Sequence, residues 1–267
     1  MGSSGYLMEH AGEARRLELK TDRDRLVAQA SWAGIRPGMR VADIGCGSGK
    51  TSAFLYELVQ PGGEVVGLDG APDRVAHARE RYGRPGLSFV CRDVYNPLDD
   101  LGSFDFIWSR FFLEYHRSRA PQIIAALTER LKPGGIMALV DLDYNCLSHF
   151  GLPQRLVGAI DEIMRTLEES ADFDPYVGRK LYTYLYDLGL KDLDVAVFAH
   201  HLIFGPLGEI DAANWKAKVE VAVRNSGYAF ADYPGGYAEF FAEFESAFAD
   251  PRRFTYTPLI ACRGCRP

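Results

Sequence analysis

From residue 40 onward, apolar positions fall into short runs separated by helical stripes. Arg40–Ile44, Glu64–Leu68, Leu87–Cys91, Phe104–Trp108 and Ile136–Leu142 are short apolar runs bounded by Gly, Pro or Asp, the pattern of buried strands. Between them, Ser48–Val59, Pro72–Tyr82 and 119–131 carry apolar residues at helical spacing, as in Leu55, Leu58 and Val59. A charged helix within residues 8–34, with Leu26, Val27, Ala30 and Ala33 on one face, stops at Arg36-Pro-Gly38. Strands and helices alternating at this spacing predict βαβ units and an α/β fold, a doubly wound, mostly parallel sheet with helices on both faces. After Asp143 the rhythm changes. Helices are expected at 153–170 and 175–188, then a strand Asp194–Phe204, a helical stretch 209–249 broken at Pro234-Gly-Gly236, and a last strand Arg253–Cys262. Helical insertions at about 145–190 and 208–250 are expected to cover the C-terminal edge of the sheet, where ligands of open α/β folds bind.

The chain has 267 residues, 47% of them hydrophobic, enough for one large domain or two small ones. Its 30 basic and 36 acidic residues give a net charge of −6, which argues against a phosphate-tracking surface and hence against nucleic-acid partners. No run approaches the roughly 18 apolar residues of a membrane span. Met1–Gly5 lacks the basic and apolar regions of a signal peptide, so a cytoplasmic location is expected. Five cysteines suit no disulfide framework; Cys46, Cys91 and Cys146 read as small buried hydrophobes. Cys262-Arg-Gly-Cys265 is a lone CxxC without the four ligands of a structural zinc site, so no metal is expected and the segment reads as a solvent-facing tail.

The chemistry signal is Val41-Ala-Asp43-Ile-Gly45-Cys-Gly47-Ser-Gly49-Lys50-Thr51. A phosphate-binding P-loop would need glycine at position 44, where the chain has Ile44; a dinucleotide fingerprint would need one at 50, where it has Lys50. What remains is DxGxGxG after a strand, a loop whose backbone a ligand can approach closely. Two further acids stand at strand ends. Asp69 lies 26 residues after Asp43 and suits a ribose diol, and Asp93 follows the third strand, where an adenine amino group could donate to it. An Asp after a strand often only caps a turn. Three of them, at the ends of three successive strands, point to a shared ligand.

The series DIGCGSG, GLDG, CRDVYNPL, FDFIWSRFFLEYH and LKPGGIMALVD, over residues 38–143, resembles the motifs of the class I S-adenosylmethionine-dependent methyltransferases. The resemblance implies a seven-stranded Rossmann-like sheet whose last strand is antiparallel, with S-adenosyl-L-methionine across the first strands and S-adenosyl-L-homocysteine as product. It implies that Gly45 and Gly47 face the methionyl part, Asp69 the ribose, and Asp93 and Val94 the adenine. Ser109 and Arg110 would border the sulfonium; Asp43, Cys46 and Gly70 belong to the same cofactor set. The opening Tyr6–Leu19 and the ending Phe254-Thr-Tyr-Thr-Pro-Leu-Ile-Ala are similar to a bacterial ubiquinone-methyltransferase-like subgroup. That likeness implies an N-terminal helical lid (residues 1–37), with Tyr6 and Arg16 closing over the cofactor, ahead of a methyltransferase domain at 38–267.

Methyl transfer from a sulfonium is an in-line displacement, so positioning and desolvation do most of the work, and a hydroxyl acceptor also gains from a base. Candidate bases are His116, His200 or His201 on the late strand, and Asp141 and Asp143 after the fifth. The Tyr182, Tyr184, Tyr186 run reads as packing. The apolar stretches Leu181–Leu190 and Tyr237–Phe248 are expected to wall a pocket floored by Phe111, Phe112, Tyr115 and His116, which suits a small, aromatic or natural-product-like acceptor. The alternatives are a non-catalytic S-adenosylmethionine-binding protein, a nucleic-acid methyltransferase, and a homodimer with an open groove.

Overall fold

The computed structural model describes residues 22–267; the expected contacts of Tyr6 and Arg16 fall outside the described residues. The predicted alternation is present as β1 (Arg40–Ile44), α2 (Lys50–Leu58), β2 (Glu64–Asp69), α3 (Pro72–Tyr82), β3 (Leu87–Cys91), β4 (Phe104–Arg110), α4 (Ala120–Glu129) and β5 (Leu131–Leu142), preceded by α1 (Arg23–Ala33). The second half supplies β6 (His149–Phe150), α5 (Gln154–Ser170), α6 (Leu181–Asp187), β7 (Lys191–Phe204), α7 (Glu209–Ser226), α8 (Gly236–Ala249) and β8 (Phe254–Cys265).

The main strands run in the order β3-β2-β1-β4-β5-β8, with β7 beyond β8. β1 to β5 pair in parallel, and β8 is antiparallel to both β5 and β7. These are the seven strands that were expected. The two-residue β6 is an eighth and pairs with the start of β8.

Alternation along each strand divides the core into two layers. Val41, Val65, Phe106, Trp108 and Val140 face a cluster closed by Leu26, Leu55 and Val75 of α1, α2 and α3. Ala42, Leu68, Ile107 and Leu139 face the other side, under Ile123 and Leu127 of α4 and Leu181 and Leu185 of α6. A third cluster stands apart from both. Leu156, Ile160 and Ile163 of α5, Trp215 of α7, and Phe240, Phe244 and Phe248 of α8 pack together with Ile203 near the end of β7. Because α5 follows the C-terminal end of β5, and α7 and α8 link β7 to β8, this helical cap sits at the strand ends where ligands bind.

Four expectations need correcting. Of the three cysteines expected to be buried only Cys46 is; Cys91 is exposed and Cys146 half-buried, each lying outside the packed layers of the sheet. Residues 262–265 are the end of β8 and not a tail: Cys262 is fully buried against Leu181 and Leu185, and burial pushes its thiol up to about 12. Leu181–Leu190 does not join the cap; α6 carries its apolar face to the sheet layer beside α4. Of the tyrosine run only Tyr184 packs on that layer, while Tyr182 and Tyr186 are exposed and stacked with ring centres 5.9 Å apart. Residues four apart share one side of a helix, and here that side faces water. The described part of the expected lid contains α1, whose Leu26, Ala30 and Ala33 are wholly buried in the main core. Among the described residues, no helix is long and apolar enough to cross a membrane, and no cluster of His, Cys, Asp or Glu could hold a metal ion.

Candidate functional site

Strands β1, β2 and β4 end side by side, and their ends carry the polar groups that the core excludes. Asp43 is buried at the end of β1, where its Oδ2 accepts a 2.6 Å hydrogen bond from the Ser52 hydroxyl on α2. Burial, with a smaller push from Asp69, raises its carboxyl to about 7, against opposing effects of Ser52 and Arg110. A raised carboxyl favours the folded state while protonated. Stability from Asp43 is therefore full below its unfolded value of about 4 and is lost as pH rises through about 7. Thermal denaturation from pH 4 to pH 8 is expected to show this decline in the natural chain, and Asp43→Asn, which cannot ionise, should flatten it. Equal slopes would place the titration elsewhere.

The glycine loop hangs on β2. The N–H groups of Gly45 and Cys46 both donate to the Leu68 carbonyl, at 2.8 and 2.9 Å, and Gly47 N–H donates to Asp69 Oδ2 at 2.9 Å. Gly45 and Gly49 have φ of 72° and 85°, a region that L side chains rarely adopt. A Cβ at Gly45 would lie 2.5 Å from the Phe112 ring, and one at Gly49 would lie 2.7 Å from Ala78. Position 45 thus admits the loop that follows β4, and position 49 lets α2 start against α3. Cys46 is buried within the loop, its thiol pushed well up by burial and by the neighbouring Asp43 and Asp69.

Asp69 is the most heavily used acceptor. Besides Gly47, it takes Ala71 N–H at 2.9 Å and Arg74 Nε and Nη2 at 3.2 and 2.9 Å, all three on Oδ1. A carboxylate offers about four acceptor positions, so Oδ2 retains one, and a diol held by both oxygens must displace Arg74 from Oδ1. The edge beyond β2 is open: Gly70 has no atom within 4 Å of a built Cβ, and Asp93 is exposed. Asp93 Oδ1 accepts the Tyr95 N–H at 3.0 Å, the turn-capping use of an Asp, while Val94 packs against the core layer under α4.

At the end of β4, Ser109 is buried and its hydroxyl has no hydrogen-bond partner among the described residues. Arg110 lies 4.0 Å over the Phe111 ring and donates from Nε to Gln29 of α1 at 3.1 Å. Burial lowers its guanidinium to about 10, opposed by Asp141 and Asp43, so it stays cationic at neutral pH.

The candidate bases are all engaged. Asp141 Oδ2 accepts the N–H groups of Phe112, Leu113 and Glu114 at 3.2, 2.8 and 3.3 Å, and Oδ1 accepts that of Leu142. It holds the loop that lays Phe112 on Gly45. Asp143 forms a bidentate pair with Arg179 at 2.9 and 3.0 Å. His116 Nδ1 lies 2.6 Å from the Tyr95 hydroxyl, with its ring 4.3 Å from that of Phe112. Burial lowers His116 to about 4, so it is neutral at pH 7. His201 is buried and points to the cap, its ring 5.5 Å from Trp215, whereas His200 lies 4.7 Å from Phe111. Phe111, His200, His201 and Trp215 thus form a chain of rings from the end of β4 into the cap.

Sequence reasoning did not single out Gln29 or Tyr95. Gln29 is a buried polar residue inside the Leu26, Ala30, Ala33 stripe, a mismatch that can be read from the sequence; Tyr95 carries no such signal.

Residues 41–135, from the first strand to the opening of the fifth, match the family model described as a methyltransferase domain. Over these residues the chain is similar to a methyltransferase domain. The ubiquinone biosynthesis O-methyltransferase of Cereibacter sphaeroides is 32% identical over 163 residues, 59% of this chain and 62% of the relative. A 23S rRNA (uracil(1939)-C(5))-methyltransferase of Shewanella amazonensis is 34% identical over 119 residues, 42% of this chain and 25% of the relative. The chain spans less than two thirds of the curated relatives it matches. Phosphoethanolamine N-methyltransferase 2 of Haemonchus contortus, solved with S-adenosylhomocysteine, superposes with a TM-score of 0.62 over 100% of this chain and 61% of that one. At 15% identity that likeness is one of fold.

Proposed function

We propose that the chain transfers a methyl group from S-adenosyl-L-methionine to a small, largely apolar acceptor held between the methyltransferase strand ends and the helical cap. The observation that carries this reading is the juxtaposition at the end of β4. A buried, unpartnered Ser109 hydroxyl and the Arg110 cation stand beside the glycine loop, and a chain of aromatic rings leads from there into the cap. The residues fit the cofactor. Gly45, Cys46 and Gly47 offer a backbone that a ligand can approach, Asp69 an acceptor for the ribose, Gly70, Asp93 and Val94 an open edge for the adenine, and Ser109 a spare hydroxyl. When bound, the cofactor supplies an electrophilic methyl group. The chain's own contribution is placement and exclusion of water by Phe111, Phe112 and the cap, since Asp141 and Asp143 are committed to other partners. His116 and His201 are the histidines proposed for proton transfer; the burial that keeps His116 neutral at pH 7 also makes it a weaker base.

The net charge of −6 disfavours a nucleic-acid acceptor. The commitment of the buried carboxylates favours a second reading, a protein that binds the cofactor without turning it over. Calorimetry with S-adenosyl-L-methionine and S-adenosyl-L-homocysteine should show micromolar binding. Methyl-labelled cofactor incubated with phenols, quinols and small acids, and separately with ribosomal RNA, should label a small molecule. Binding without turnover supports the second reading, and binding of NAD or ATP in place of either ligand would sink both.

A further inference from the structure

The second half of β7 and the start of β8 form a ribbon with one covered face and large apolar side chains on the other. On the covered face, His201, Ile203, Thr255 and Thr257 are buried, with His201 and Ile203 against the helices of the cap. On the other face, Val197 stands across from Ile260, Leu202 from Tyr256, and Phe204 from Phe254; β6 continues that last row with Phe150. Phe150 is 76% exposed, Val197 68% and Phe204 64%, and Leu202, Phe254 and Tyr256 are exposed beside them. The irregularity between Ala199 and His201 keeps Leu202 and Phe204 on the same face as Val197, although their numbers differ in parity. In a sheet with one face in water the strands alternate, polar residues outward; here the outward residues are the apolar ones. No charged residue occurs on this face between Val197 and Phe204.

We propose that this face is a self-association surface, covered by the same face of a second copy of the chain. Three properties select that occupant. The six large side chains expose on the order of 600 Å² by the usual side-chain areas, at the upper end of what a monomer leaves in one apolar patch and three quarters of the roughly 800 Å² per partner of a stable interface. The face is uncharged, so two copies can meet about a two-fold axis without setting like charges together. An anionic membrane surface, the other apolar-seeking partner, is disfavoured by the net charge of −6. β7 also pairs with no strand but β8 among the described residues, although Arg25 of α1 donates to its Ala199 and His200 carbonyls. The inference does not depend on the chemistry at the other end of the sheet.

Sedimentation equilibrium of the full chain across a wide concentration range should give twice the chain mass. The double variant Leu202→Lys/Phe204→Lys should weaken the dimer by at least about 100-fold, because each face would then bury unpaired charges against its mate. Its circular dichroism should remain that of the natural chain. Phe150→Lys, on the two-residue β6 where the ring is mostly in water, should weaken the dimer as well and keeps the test open if the double variant misfolds. A natural chain that is monomeric at every concentration overturns the proposal, whether its face is bare or covered by the chain's own N-terminal residues. So does a dimer that both variants leave intact.

Discussion

Asp69→Ala is expected to cost at least about 100-fold in affinity for S-adenosyl-L-homocysteine, measured by calorimetry at neutral pH. Hydrogen bonds to a charged acceptor contribute about 1.5–3 kcal/mol each, and two lost from a ribose diol already reach that factor. The substitution also removes the acceptor of the Gly47 N–H, so the glycine loop loses its tie to β2 at the position where the ligand must approach. Arg74→Ala should act in the opposite direction. It frees Asp69 Oδ1 from the guanidinium that a diol would have to displace, so affinity should hold or rise. An Asp69→Ala protein that binds within threefold of the natural chain would remove Asp69 from the ribose role and leave it as the anchor of Gly47 and Arg74.

Asp141→Ala should be the most destabilising single change in the strand-end region, at about 3–5 kcal/mol, with a fall in Tm of roughly 10 °C for a chain of this size. The side chain is buried, and its loss strands the N–H groups of Phe112, Leu113, Glu114 and Leu142, those of Leu113, Glu114 and Leu142 being buried. Burial, reinforced by the buried Glu114 nearby, pushes the Asp141 carboxyl well above its ordinary range. Asp141→Asn keeps one acceptor oxygen for the three loop N–H groups but turns its NH2 toward the Leu142 N–H, so it should cost less than Asp141→Ala. Because the loop lays Phe112 on Gly45, Asp141→Ala should also weaken cofactor binding, while Asp141→Asn should preserve it. A Tm for Asp141→Ala within about 2 °C of the natural chain would mean that the loop holds without its anchor.

The division between what could be read from the chain and what could not follows the range of the interactions. Strand and helix periods, the stops at Pro-Gly, and the glycine spacing that excludes a P-loop are local properties. They depend on backbone sterics and on burial of alternate side chains, so Arg40–Ile44, Asp43 to Gly49 and Asp69 were legible in the order of residues alone. The antiparallel last strand was reached through resemblance, and its pairing with β5 and β7 follows. Two local readings failed where a distant partner decided the outcome. Cys262 and Cys265 end the chain in a polar context, yet an apolar layer from α6 makes Cys262 a core residue. Leu181–Leu190 has the composition of a pocket wall, yet Leu181, Leu185 and Leu190 cover the sheet layer beside α4.

The polar groups divide in the same way. Their positions at strand ends were fixed by local order, since a parallel sheet delivers each strand's C-terminal residue to one edge. Their partners were not. That Asp141 is consumed by four backbone N–H groups, three of them from the loop after β4, that Asp143 belongs to Arg179, that Asp69 already holds Arg74, and that His201 looks into the cap while His200 meets Phe111 all depend on segments brought together in the fold. A carboxylate or an imidazole has the same sequence signature whether it faces a ligand or an N–H, so only the tertiary structure, by pairing or sparing each buried polar atom, could separate the two.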